Sequence, residues 1–371
     1  MKISIQPKKK ELPNFFSIKT AFSLSFLLLS CFFSRAQQVT EIITDFGGYW
    51  RTNTTTNNTT KPTDSHNLLA FTVGGTLYST GANNAILTSN AVSFTNGNFK
   101  CLPITSVTGT ITTAACAIGL AINYDGVPNG FSNPLPTVKM KDVLTDGING
   151  LDIGTGVIDF PSTAKLTFPI QSIDVNSIAD AKPDILFTQI ADADPVKTDT
   201  MYFVNASNIV VGNKIVITWS SVQVLGNYLV DFYDLQRNVT CDQAVITAGL
   251  AANNTRPLRL TAFRLSDFGI TSANKASVVS LVLQPSGKSD IGFVAYNTDG
   301  FVITPPTITQ QPQTQIVCTG AASTATFSVV ATGTSDTYQW RKDGVDIAGA
   351  TSASCTISPV TGSSAGTYDV V

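Results

Sequence analysis

Glutamate occurs only at Glu11 and Glu41 in 371 residues, whereas threonine occurs 49 times and outnumbers the 23 basic and 25 acidic residues taken together. Helices with solvated faces need Glu, Lys, Gln and Arg, so bundles, coiled coils and helical solenoids are excluded. Threonine is a strand residue, because its branched Cβ fits a pleated surface. The chain is therefore expected to be all-β, and its length allows two or three domains, each with its own core.

The N-terminus reads as an address. Lys2, Lys8, Lys9, Lys10 and Lys19 precede an apolar run over residues 21–33, followed by Ser34, Arg35 and Ala36. That run is shorter than the roughly 20 residues that cross a bilayer, and small residues at 34 and 36 suit a cleavage pocket, so residues 1–36 are expected to be a signal peptide. Cys31 offers a weaker lipoprotein match, with Leu29 poorly placed for it. Loss of the leader removes six bases and one acid and takes the formal charge from −2 to −7. An acidic chain without a Lys/Arg cluster cannot displace counterions from a polyanion, so no nucleic-acid partner is expected. No later stretch holds 18 consecutive apolar residues, so no transmembrane segment is expected in the mature chain.

From residue 67 onward, short apolar or alternating runs are punctuated by Gly, Asn, Asp and Pro. Two Gly-containing pairs, Gly74-Gly75 and Gly212-Asn213, read as two-residue hairpin loops. Further strands are expected over 117–123, 165–170, 184–190, 228–233, 258–265, 278–283 and 291–296, the last two with one apolar face at period two. Residues 138–144 and 266–275 have room for a turn or two of helix. This pattern predicts one large antiparallel β-sandwich or jelly roll over 37–303. A Pro-Pro step at 305–306 then marks a boundary, with a second domain over 304–371.

Five cysteines lie beyond the leader, at 101, 116, 241, 318 and 355. A hairpin with its turn near Thr108-Gly109 would set Cys101 opposite Cys116, a candidate disulfide in an oxidising compartment. Without a Cys-x-x-Cys pair, and with His66 the sole imidazole, zinc is not expected. His66 is also the single candidate histidine base, and its neighbours Asp64 and Ser65 are too close in sequence to complete a triad easily. Asp192, Asp194 and Asp199 share one loop-like stretch that lacks the ligand pattern of an EF-hand; calcium is the one cofactor they suggest, and a solvated loop is the plainer reading. Nothing in that loop marks a carboxyl for glycoside hydrolysis. Four aromatic residues, Tyr49, Trp50, Trp219 and Tyr233, are candidate stacking platforms for sugar rings, against the plain alternative that they fill the core. Sequons such as those at Asn53, Asn205 and Asn238 add little without a known host.

The last segment is the most specific. A strand reads over 325–332, another over 338–342 with Trp340, another over 354–358, and Tyr368 sits in Ala365-Gly366-Thr367-Tyr368-Asp369-Val370. This resembles an immunoglobulin-like domain, in which Trp340 matches the buried tryptophan of the third strand and Tyr368 the tyrosine corner. The resemblance places the usual inter-sheet disulfide at Val329 and Val370, so two branched side chains would fill its place. It also implies that the chain stops before a last strand, and that the sequence is a fragment of a longer protein that supplies this strand and a mate for Cys318. The match of Gly362-Ser363-Ser364-Ala365-Gly366 to a nucleophile elbow falls in the turn before Tyr368, where no strand-to-helix step is expected. The leader, the Thr-rich sandwich and this module together resemble large secreted surface proteins of Bacteroidetes bacteria. That resemblance implies a non-catalytic extracellular or cell-surface binding or adhesion protein, with the module as spacer or docking face and an extracellular protein or glycan as partner. The alternative is a carbohydrate-binding module of a secreted polysaccharide-processing protein.

Overall fold

The computed structural model describes residues 37–52, 59–113, 115–124, 130–302, 307–320, 323–332, 338–347, 350 and 352–371. The leader, the Asn53 sequon and the Pro-Pro step lie outside these. The protein is all-β; among the described residues every strand pairing in its sheets is antiparallel and only short helical turns lie between strands. No helix among the described residues is long and apolar enough to cross a membrane.

Two sheets make the sandwich. The larger has 12 strands; its main path runs Ser289–Ile291, Gly156–Phe160, Ala117–Ala121, Gly226–Leu235, Ile246–Phe263, Gln37–Thr44, Leu68–Val73 and Thr76–Ser79. The 18-residue strand Ile246–Phe263 is the organiser, because its first two-thirds pair with Gly226–Leu235 and its last five residues with Ile185–Gln189. Ile185–Gln189 in turn leads to Val294–Asn297 and Phe99–Cys101. The second sheet has five strands, in the order Val210–Ile217, Asp199–Val204, Ser280–Gln284, Lys165–Pro169 and Ser106–Thr108.

The main core lies between them. Phe168, Met201, Phe203, Leu281 and Leu283 of the second sheet meet Ile118, Val157, Ile185, Phe187 and Phe263 of the first. Removing such side chains from water contributes about 1.5–3 kcal/mol each. A second core forms on the opposite face of the large sheet, where Phe71, Leu186, Tyr228, Leu260 and Ala295 pack with Trp50. Neighbours in one strand therefore serve different cores: Ile185 and Phe187 face one, Leu186 the other. Burial on both faces explains near-continuous apolar runs such as Ile185-Leu186-Phe187. It also corrects the one-faced reading of 291–296, since Phe293 and Ala295 serve the second core and Ile291, Val294 and Tyr296 the first.

The loop at Gly74-Gly75 is a two-residue hairpin, with both glycines at positive φ and Val73 opposite Thr76. Gly212 is not a turn. It lies inside Val210–Ile217, where the register slips against Met201 and Phe203; the hairpin closes instead at residues 205–209. Its φ of +75° and the Phe268 carbonyl, 2.1 Å from where a Cβ would stand, make glycine obligatory at this bulge. The expected hairpin between Cys101 and Cys116 is also absent. Phe99–Cys101 joins the large sheet and Ser106–Thr108 the second, so the chain crosses between sheets. All five cysteines are free, and Cys101 donates its thiol hydrogen to the Leu144 carbonyl.

The C-terminal module is built from Thr307–Gln310 on Val330–Thr332, Ala325–Ser328 on Ser354–Ile357, and Trp340–Lys342 between Val345–Asp346 and Tyr368–Val370. Its core is small: Trp340, Val329 and Cys355, with Phe327, Ile357 and Val370 against them. The Trp340 indole donates to the Ser352 carbonyl at 2.9 Å. The Tyr368 hydroxyl donates to the Ser364 carbonyl, four residues upstream, at 2.7 Å, which is the geometry of a tyrosine corner.

Candidate functional site

The residues that could carry chemistry are sealed into the cores. His66 is fully buried, stacked on Trp50 at 6.1 Å with Phe46 edge-on to it, and its ring nitrogens find no partner among the described residues. Burial lowers the imidazole to about 3, so it is neutral at physiological pH. The neighbouring Ser65 hydroxyl donates to Asp152 at 3.0 Å and not to the imidazole.

Asp152 is the knot of this region. It also accepts the backbone N–H groups of His66 and Gly154, at 2.7 and 2.9 Å. Thr155 Oγ1 stands between Asp152 Oδ2 at 3.2 Å and Asp146 Oδ1 at 2.9 Å. Desolvation, and then the negative charge of Asp152, raise Asp146 well above the usual carboxylate range; burial raises Asp152 as well. The meeting of these two aspartates is local, with the Asp152 N–H on the Asp146 carbonyl and Thr155 joining the carboxylates, but their spacing alone does not reveal that the pair is buried.

Other buried aspartates tie loops to strands in the same way. Asp184 accepts the Leu265 N–H at 2.8 Å, and Asp290 accepts the Asp159 N–H and the Gln189 side-chain amide. Burial pushes Asp184 up to about 8 and Asp290 well above its ordinary value.

The three aspartates suggested for calcium point to different partners. Asp199 is fully buried and takes the Trp219 indole N–H at 2.7 Å, the Ser286 N–H at 2.9 Å and the Ser289 hydroxyl. Asp194 accepts from the N–H groups of Val196 and Lys197, and Asp192 faces Arg256 at 3.5 Å. Among the described residues no three potential ligands converge on a metal position.

The aromatic platform is corrected in the same sense. Trp50, Trp219 and Tyr233 are 2%, 2% and 1% exposed. Trp219 packs edge-on to Phe187 at 4.9 Å and Tyr233 edge-on to Phe131 at 5.4 Å, while the Trp50 indole donates to the Thr60 carbonyl. Tyr49 is half-buried against the small cluster of Ile43 and Leu69. A ring enclosed on both faces cannot stack on a sugar. The indole N–H groups of Trp50 and Trp219 are satisfied inside the protein, by partners that sequence alone does not reveal.

The open feature is in the module. A groove of about 630 Å³ runs between residues 312–319 and the Tyr368 side of the fold, with Phe327, Ile357, Val360 and Tyr368 in its lining and Ile316 on its rim. Phe327 and Tyr368 stack at 4.6 Å beneath it. Residues 311–319 belong to no strand, and Tyr368–Val370 has a ladder on one side only among the described residues. On that side Thr367 and Val371 meet Asp343 and Gln339, which directs the backbone groups of Tyr368 and Val370 to the other. The Ser364 segment is a short 3₁₀ turn whose carbonyl serves Tyr368, so it makes no nucleophile elbow.

No protein-family model, curated protein or solved structure matches this chain.

Proposed function

We propose that the chain is an extracellular or cell-surface binding protein, adhesive in character, whose immunoglobulin-like module provides the docking face. The observation that carries this reading is the module's groove, which joins an apolar floor to a strand edge with no ladder on its outer side among the described residues, the combination that extended polypeptides recognise. The leader-like residues 1–36 and the acidic, cluster-free surface of the remainder support an exported protein. Three of the four rings that would support the carbohydrate alternative, Trp50, Trp219 and Tyr233, are enclosed. Tyr202, half-exposed on the second sheet, does not replace them, because the Lys214 ammonium sits over its ring at 4.7 Å.

Cell attachment by the purified full chain tests this. Ile316 is 96% exposed on the groove rim and Val345 is 70% exposed on a neighbouring strand, so neither change disturbs the core. Ile316→Asp is expected to reduce attachment about tenfold or more, the cost of desolvating a carboxylate in an apolar contact, and Val345→Asp to leave it unchanged. Equal attachment by both variants, or turnover of a polysaccharide by the full chain, overturns the reading.

A further inference from the structure

Two cysteines that sequence spacing does not pair are brought together by the fold. Cys116 leads into Ala117–Ala121, whose first residue lies opposite Asp234. A few residues earlier, the same loop is clamped to the segment that contains Cys241. Thr110 bridges Thr240, the Cys241 N–H donates to the Gly109 carbonyl at 3.1 Å, and the Ile111 N–H donates to the Val239 carbonyl at 3.0 Å. With both ends of the 111–117 loop held on residues 234–241, the two thiols enter one core, where Cys116 is 1% and Cys241 0% exposed. Cys101 is held elsewhere, opposite Ala295 with its thiol on the Leu144 carbonyl. Cys318 and Cys355 belong to the C-terminal module.

We propose that Cys116 and Cys241 are joined by a disulfide when the chain folds in the presence of a low-molecular-weight disulfide, making a covalent staple between the loop before Ala117–Ala121 and the turn after Gly226–Leu235. One cysteine thiolate attacks the oxidant R–S–S–R, forming a protein–S–S–R mixed disulfide and releasing one RS⁻. The second cysteine thiolate attacks the protein sulfur of that intermediate, the Cys116–Cys241 bond forms, and a second RS⁻ departs. The two cysteines lose two electrons, the oxidant gains them, and the two thiol protons end on the released R–SH molecules.

The timing follows from the burial. Desolvation pushes Cys241 up to about 11 and Cys116 higher still, with the negative charge of Cys241 as the next contribution to Cys116. The charge effect of Cys241 on Cys116 agrees with the backbone clamps in setting the two thiols near one another. A buried thiol with so little thiolate is a poor nucleophile, so exchange belongs to folding, before the two loops dock, and is slow in the folded reduced protein. The staple closes a loop of roughly 125 residues, the long kind that most restricts the unfolded chain.

The test folds the full chain from denaturant with oxidised and reduced glutathione, traps remaining thiols with an alkylating agent and maps unreduced peptides. The expected result is a linked peptide pair containing Cys116 and Cys241, two hydrogens lighter than its parts. The oxidised protein is expected to melt about 5–10 °C above the reduced one. Cys116→Ala and Cys241→Ala should each abolish that increment, and Cys101→Ala should retain it. Oxidant added after folding should link the pair at least tenfold more slowly. Alkylated Cys116 and Cys241 in protein folded with oxidant, glutathione left on either, or a link from Cys101 to Cys116 overturns the proposal. The peptide map uses the unaltered sequence, so it decides the matter even where a variant fails to fold.

Discussion

The sandwich and the C-terminal module answer the same requirement, hiding apolar surface with little charge, at different scales. The sandwich buries both faces of its large sheet and locks its polar groups inside: His66, Asp152, Asp184, Asp199 and Asp290 are each 2% exposed or less. The module relies on Trp340, Val329 and Cys355 and leaves a groove beside Tyr368. Polar side chains in a chain like this are therefore poor guides to function, because its buried aspartates are taken up by the chain's own backbone and side-chain donors; the proposed docking face lies in the less completely covered part.

That contrast can be broken or sharpened by experiment. The largest effect is expected for Trp219→Ala, which opens a cavity and strips a donor from buried Asp199; a loss of about 5 kcal/mol should lower the sandwich transition in calorimetry and leave the module's in place. Trp340→Ala is the mirror experiment, with about 4 kcal/mol lost from the module transition alone. A single merged transition that shifts in both variants would break the comparison.

Asp184→Asn tests the sealed carboxyls. The folded state holds Asp184 at about 8, against an ordinary 3.8, and its Oδ1 is buried with no partner, as suits a protonated acid. A raised carboxyl contributes stability in full below pH 4 and loses it as pH rises through 8. Asparagine cannot ionise, so the variant should gain steadily on the native chain as pH rises across that window, in urea titrations at several pH values. Tyr368→Phe removes only the corner hydrogen bond and should cost the module about 1 kcal/mol. Lys139→Ala is the smallest: its pair with Asp346 at 2.8 Å is more than a third exposed at both ends, and a change within about 0.5 kcal/mol is expected.

Much of the fold was legible because period and punctuation are local. The Gly74-Gly75 hairpin, the strand at 185–189 and the tyrosine corner follow from residues adjacent in sequence. The first half of Ile246–Phe263 was not legible. Its Asn253, at positive φ, falls where the register slips between Val230 and Phe232, an irregularity that only the pairing with Gly226–Leu235 carries. The candidate sites fared worse for the same reason. Trp219 and Asp199, 20 residues apart, read as a sugar platform and a calcium ligand, and they are partners in one buried hydrogen bond.

By itself the sequence determined class and scale. A chain so short of Glu and so rich in Thr cannot solvate long helices and must form sheets, and its apolar runs set where strands occur. Tertiary structure decided which side chains meet: His66 against Trp50, Ser65 on Asp152, Cys116 near Cys241 in place of Cys101. The reason is physical. Strand formation depends on near neighbours, whereas the state of a carboxyl, imidazole or thiol depends on dielectric and partners that long-range pairing delivers.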